Sequence, residues 1–236
     1  MPLVSYEGET FVAFLDISGF KDLMRNEDRA WRALDKFYNA GYLVLGIHRY
    51  DENVVDGLFV SDCGVLYLKQ ENLDIRNRII GLKKLLRIVK DINVRMRDEG
   101  FMLTTSIAYG RFKYQERIEF PGIEKNPVYG NAYVAAFMDN EYGRPRLQPG
   151  LCRIINRNLP EEIKNIIVAD DSDEIFRMIK ARRGDNRYLY YYWMVESPIE
   201  VDNFEQRYKD SGRYLYEGRL RALRGSKRGD WKPETL

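Results

Sequence analysis

Hydrophobic residues first gather at Phe11–Ile17 (FVAFLDI), an apolar run rich in β-formers and interrupted only by Asp16 at its end. Ser18 and Gly19 follow, so the run predicts a buried strand entering a turn. From Phe20 onward the spacing lengthens. Leu23, Trp31, Leu34, Phe37, Tyr38 and Leu43 recur near every third or fourth position, predicting one long helix with Ser18 as its N-cap. Val54–Val60 and Gly64–Leu68 predict two short strands joined by a hairpin turn at Ser61-Asp62-Cys63. Leu73–Arg97 carries the clearest helical stripe, through Ile79, Leu82, Leu86, Val89 and Met96, and Glu99-Gly100 stops it. Phe101–Tyr109 predicts a strand. A short helix is expected from about Tyr129 to Glu141, with Ala132, Ala135 and Ala136 permitting close approach. Leu151–Ile155 and Arg187–Val195 predict later strands, with Pro160–Lys180 helical between them. Strand, helix, two strands, helix, strand is the order of a ferredoxin-like α+β core, here with extra strands and helices.

Composition narrows the chemistry. The chain has 236 residues, 38 basic and 36 acidic, which suits one domain with an appendage. His48 is the only histidine, which excludes a multi-histidine metal centre. Cys63 and Cys152 are too few for a zinc cluster or a disulfide framework and are expected to be reduced. Met1–Thr10 lacks the pattern of a signal peptide, and the longest apolar stretches, near Tyr42–Ile47 and Tyr188–Val195, are far too short to span a bilayer. A cytoplasmic protein with no membrane partner is expected.

The division expected is a main domain over residues 1–200 and a basic, aromatic-containing extension over 201–236. From Asn203 the extension holds nine basic and five acidic residues, +4, so the remainder carries −2 of the total +2. Interleaved Tyr208, Tyr214, Tyr216 and Trp231 would suit nucleic acid, a dimer partner or a solvated end. The near-neutral balance argues against nucleic acid as the main partner.

Asp16 and Asp62 then stand out by position. In a ferredoxin-like sheet the first and third strands are neighbours, so the two carboxylates converge on one end of it. Taken singly, Asp16 is a cap and Asp62 a turn residue. As a pair they suit two divalent cations about 4 Å apart, the arrangement of in-line phosphoryl chemistry. Mg2+ or Mn2+ fits oxygen ligands in a chain nearly free of histidine. The backbone amides of Ser18, Gly19 and Phe20 would open a helix where phosphate binds.

These motifs resemble a known family. Phe14-Leu15-Asp16-Ile17-Ser18-Gly19-Phe20 resembles the opening motif of class III nucleotidyl cyclase domains, and Val60-Ser61-Asp62 resembles their second metal motif. Ser106–Gly110 and Val128-Tyr129-Gly130-Asn131-Ala132 resemble a later strand and the dimer-interface motif, so the likeness spans about residues 10–155. The resemblance implies a head-to-tail homodimer with composite sites. It implies a 3′-hydroxyl attacking the α-phosphate of its own nucleoside triphosphate, with release of pyrophosphate. It also implies that Asp16, Asp62 and the Ile17 carbonyl bind two metal ions, and that the Ser18–Phe20 amides hold the phosphates.

The departures refine this picture. Leu58 stands where adenylate cyclases place a base-reading lysine, and Pro127 stands where they place a second base reader. Val134 and Met138 replace the asparagine and arginine of the late motif. Arg111, Lys125, Arg144 and Arg146 are candidate substitutes for that arginine, and sequence does not choose among them. Lost transition-state groups also fit an inactive, nucleotide-binding or dimerising module.

A solitary domain without purine readers resembles the bacterial pyrimidine cyclases of the Pycsar antiphage systems. That implies UTP or CTP as substrate, with uridylate slightly preferred, and a separate effector that responds to the cyclic nucleotide. Tyr50 either narrows the base pocket beside Leu58 or packs at a helix end.

Overall fold

A computed structural model describes residues 5–49, 54–69, 74–115, 117–120, 123–125, 127–169, 173–182, 184–211 and 215–225. Strand β1 (Tyr6–Ile17) leads into a single-turn helix α1 (Phe20–Leu23) and then α2 (Glu27–Ile47). The hairpin β2 (Val54–Val60) and β3 (Cys63–Lys69) precedes helix α3 (Ile75–Asp98) and strand β4 (Leu103–Tyr114). Short strands β5 (Arg117–Phe120), β6 (Ile123–Lys125) and β7 (Val128–Tyr129) follow, then helix α4 (Asn131–Tyr142). Strand β8 (Cys152–Ile155), helix α5 (Glu161–Ala169), and strands β9 (Ile179–Arg182) and β10 (Asp185–Tyr191) complete the sheet. Helices α6 (Glu200–Ser211) and α7 (Leu215–Leu223) close the described chain.

The principal sheet has the order β2-β3-β1-β4-β8-β10-β9, with β7 paired to β4. Each neighbouring pair among its first four strands is antiparallel, and these strands form the ferredoxin-like core, with β8 joining β4 in parallel. Alternation on β1 divides the two faces. Phe11, Ala13, Leu15 and Ile17 are fully buried, and Phe11 packs on Tyr109, which Arg78 of α3 overlies. That face lies under α2 and α3, where Phe37, Leu82, Leu85, Leu86, Val89, Ile92 and Met96 are buried. Phe14 points the other way, against Tyr133 and Phe137 of α4. Asp16 follows Phe14 by two residues and shares that second face.

Several expectations need correction. The long helix from Phe20 is two helices, and Ser18 caps neither of them. Asn26 is the N-cap of α2, its Oδ1 accepting the Arg29 N–H at 2.9 Å. Its extended backbone and the acidic Glu27-Asp28 after it favour a new start there. Trp31 is 72% exposed and Leu43 also faces out, so neither belongs to the buried stripe. The strand expected to end near Gly110 runs on to Tyr114, because Gly110 takes a positive φ of 151° and keeps the ladder intact beside Asn131. Among the described residues, the Pro160–Lys180 segment is α-helical over α5 alone. It then makes a tight turn at Phe176–Met178 and contributes edge strand β9.

The start of the basic extension packs on the body. Val201, Phe204, Tyr208, Leu220, Ala222 and Leu223 are buried, and Tyr208 Oη donates to the Pro149 carbonyl at 2.5 Å. Arg224 donates to the Arg97 and Asp98 carbonyls at the end of α3, a favourable place for a cation. Tyr214 and Trp231 lie outside the described residues.

Candidate active site

The register of the sheet builds the site. Asp16 lies directly opposite Cys63 on β3 and opposite Thr104 on β4. Asp62 occupies the adjoining hairpin turn, made tight by Ser61 with φ of 55°. The Asp62 carbonyl accepts the Ile17 N–H at 3.0 Å, which ties the hairpin to the end of β1. One ligating atom each from Asp16, Asp62 and Cys63 lies within 4.8 Å of the others. All three residues are half-buried.

The electrostatics are dominated by two carboxylates close together. Burial, then repulsion from Asp62, pushes the Asp16 carboxyl up to about 7. The Cys63 thiol, itself held protonated by burial and by both aspartates, donates to Asp16 Oδ1 at 3.5 Å. A thiol is a weak donor and offsets little of that cost. Two half-buried carboxylates this close together, with Asp62 disfavouring the charged form of Asp16, have the donor set of a hard divalent ion. The residues present therefore fit the expected metal.

The turn after Asp16 differs in part from the expectation. The Ser18 amide is occupied, donating to the Met102 carbonyl at 2.9 Å, so it does not face a phosphate. Gly19 takes φ of 73°, which suits glycine, and its carbonyl accepts the Asp22 and Leu23 amides. No hydrogen bond to another described residue is found for the Gly19 or Phe20 amide. Tyr216 of α7 lies against Gly19, and its Oη accepts the Met102 N–H at 2.9 Å. The extension thus buttresses this turn, a contact that no local pattern in the sequence signals.

The remaining candidates separate clearly. Arg111 pairs with Glu7 at 2.7 Å and lies opposite Glu9, seven residues up β1 from Asp16. At about 3.3 Å per residue that is roughly 23 Å from the carboxylates, which removes it from the Asp16 site of its own chain. Leu58 is half-buried and packs on the core, and the Pro127 carbonyl accepts the Gln115 amide. Arg144 and Arg146 follow α4 and are exposed, and the charge of Arg146 reaches Asp16. Val134 and Met138 are exposed apolar residues on α4. Tyr50 and the Lys125 side chain lie outside the described residues.

Sequence reasoning missed the device that holds α4. Arg153 is fully buried and grips Asp139 through Nε and Nη2, both at 2.8 Å, while Ser106 Oγ donates to the same carboxylate. Next to it, Asn140 accepts from Thr104 Oγ1 at 2.9 Å and donates to the Phe14 and Thr104 carbonyls. These bonds fix the end of α4 beside the Asp16 row.

No family model matches the chain, and no curated protein matches it in sequence. Solved structures match its fold. The guanylate cyclase domain of RhGC from Catenaria anguillulae, solved in complex with GTP, is 10% identical with a TM-score of 0.54, covering 80% of this chain and 96% of that one. The monomeric guanylyl cyclase domain of the RhoGC fusion protein from the aquatic fungus Blastocladiella emersonii is 11% identical with a TM-score of 0.53, over 80% and 96%. A bacterial light-regulated adenylyl cyclase is 11% identical with a TM-score of 0.53, over 80% of this chain and 52% of that one. The chain has the α+β fold of class III nucleotidyl cyclase domains. Among the described residues, no helix is long and apolar enough to cross a membrane.

Proposed function

We propose that the protein is a metal-dependent nucleotide cyclase, a phosphorus–oxygen lyase that converts UTP, or CTP as second choice, to the 3′,5′-cyclic monophosphate and pyrophosphate. The observation that carries the reading is the Asp16–Asp62 pair at one end of the β1–β3 ladder, with Asp16 unneutralised by any ion pair among the described residues. Asp16, Asp62 and the Ile17 carbonyl would hold two Mg2+ or Mn2+ ions. Such ions supply charge neutralisation at the phosphates and a more acidic attacking hydroxyl. The protein's own contribution is positional. The hairpin bond from Ile17 to Asp62 fixes the carboxylates relative to each other, and the Gly19-Phe20 turn leaves two amides for a phosphate oxygen. Ordering a flexible triphosphate in this way supplies much of the catalytic benefit without a protein base.

Pyrimidine preference is supported by what stands at the base-reading positions. Leu58 has no hydrogen-bonding side chain, and the Pro127 carbonyl is engaged by Gln115. A role in antiphage defence, with a separate effector reading the product, rests on the resemblance to the pyrimidine cyclases. A head-to-tail homodimer is proposed on the same ground, and the exposed apolar Val134 and Met138 on α4 favour a covered face there. The same two residues favour the alternative, an inactive nucleotide-binding or dimerising module.

Incubation with each of the four nucleoside triphosphates and Mn2+, followed by mass spectrometry, separates these readings. Cyclic UMP or cyclic CMP is expected. Tight nucleotide binding with no cyclic product from any triphosphate supports the inactive module instead.

A further inference from the structure

Resting on that functional reading, we propose that Tyr216 of the extension is a positioning residue for the proposed metal site. It acts through the backbone of Met102 on the segment from Asp16 to Gly19.

The ladder between β1 and β4 ends at the Ile17–Leu103 pair. One step further, the Ser18 N–H donates to the Met102 carbonyl at 2.9 Å. On the other flank the Ile17 N–H donates to the Asp62 carbonyl at 3.0 Å. These two backbone bonds set where the chain leaves the sheet after Asp16, one toward the hairpin and one toward the start of β4. Met102 precedes β4, and its own N–H finds its acceptor outside the ladder, in Tyr216 Oη at 2.9 Å. Met102 is buried, and it is held by Ser18 through its carbonyl and by Tyr216 through its amide. The Tyr216 ring also lies along the turn. An added Cβ at Gly19 would meet its Cδ2 at 4.0 Å, and the Arg29 guanidinium of α2 stands over the same ring, 5.8 Å from its centroid.

The helix that carries this hydroxyl is itself seated. Leu220, Ala222 and Leu223 of α7 are buried, and a Cβ at Gly150 would fall 2.2 Å from Leu223 Cδ1, so glycine is what lets α7 approach there. Arg224 closes the end of α7 on the Arg97 and Asp98 carbonyls. An anchored helix thus fixes the Tyr216 oxygen, which fixes Met102, which fixes Ser18 two residues after Asp16. Losing a group that orients a metal ligand typically costs about 10–100-fold in metal affinity or rate. Tyr208 provides the contrast within the same extension. Its Oη donates to the Pro149 carbonyl at 2.5 Å, which fastens α6 to the loop before β8 instead.

The test compares the full-length wild type, Tyr216→Phe and Tyr208→Phe, two variants that each lose one hydroxyl of the extension. Mn2+ is titrated without nucleotide and followed by electron paramagnetic resonance of the free ion, and steady-state kinetics are run with UTP and with CTP. Tyr216→Phe is expected to weaken Mn2+ uptake and lower kcat by about 10-fold each, with KM changed by less than about 3-fold. Tyr208→Phe is expected to shift the urea midpoint similarly while keeping wild-type Mn2+ affinity and kcat. Equal Mn2+ affinity in the wild type and Tyr216→Phe would overturn the proposal. So would equal losses in the two variants, which would mark a general loosening of the extension. A wild type that takes up Mn2+ but forms no cyclic product overturns the cyclase reading alone, and the Mn2+ affinities then decide the role of Tyr216. A wild type that takes up no Mn2+ overturns both.

Discussion

Two carboxylates on the same side of the sheet are treated in opposite ways. Asp139 is gripped by a fully buried arginine and a serine hydroxyl, so its charge is matched and its geometry fixed. Asp16 has a second carboxylate and a thiol for neighbours, and its proton affinity rises accordingly. Burying charge without a partner is costly, so proteins keep such groups where a ligand completes them. The satisfied aspartate belongs to the architecture, and the proposed chemistry rests on the unsatisfied one.

Four substitutions and a pH series break or sharpen that contrast. The largest effect is expected at the unpaired site. Asp62→Ala and Asp16→Asn should each lower turnover by about 1,000-fold or more, since each removes a proposed metal ligand worth several kcal/mol in the transition state. Their melting temperatures at pH 8 should be unchanged or higher, because the repulsion is relieved. The paired site should behave in the opposite sense. Arg153→Met leaves Asp139 buried without its cation and should cost about 3–5 kcal/mol in urea unfolding. The Arg153→Met, Asp139→Asn double variant should recover part of that loss.

The pH series concerns Asp16 alone. Its folded pKa of about 7 lies above the unfolded value of 3.8, so between the two the native state holds a proton that the unfolded state has released. Metal-free stability should therefore fall as pH rises from about 4 to 7 and level off above that. In Asp16→Asn this component of the slope should vanish in a series of thermal melts. Cation uptake by the wild type should release a proton and weaken below pH 7.

Smaller effects are expected around the site. Cys63→Ala removes a weak donor to Asp16 and should lower turnover only a few-fold. Tyr216→Phe removes the acceptor of the Met102 N–H behind the Gly19 turn and should cost about 1 kcal/mol, read from the shift in urea midpoint.

The part of the site that was legible in the sequence is the part built by local rules. The end of an apolar run before a turn singled out Asp16, the hairpin turn located Asp62, and the strand–helix order made β1 and β3 neighbours. Pairings made only in the folded chain were not legible. Arg153 reads as an ordinary strand residue until β8 settles beside β4 and brings it to Asp139. The Ser18 amide looked available for phosphate because Met102 is distant in sequence. Likewise Tyr208 and Tyr216 read as tail aromatics, although both fill the seam between the extension and the body. The break between α1 and α2 was visible in Asn26-Glu27-Asp28, but the hydrophobic spacing running through it obscured the cap.

The most direct test of the central claim is a titration of the wild type, Asp62→Ala and Asp139→Asn with Mn2+ in the presence of UTP, followed by electron paramagnetic resonance of the free ion. The account predicts tight Mn2+ uptake by the wild type, retained in folded Asp139→Asn and lost in Asp62→Ala. Equal uptake by the wild type and Asp62→Ala would contradict it.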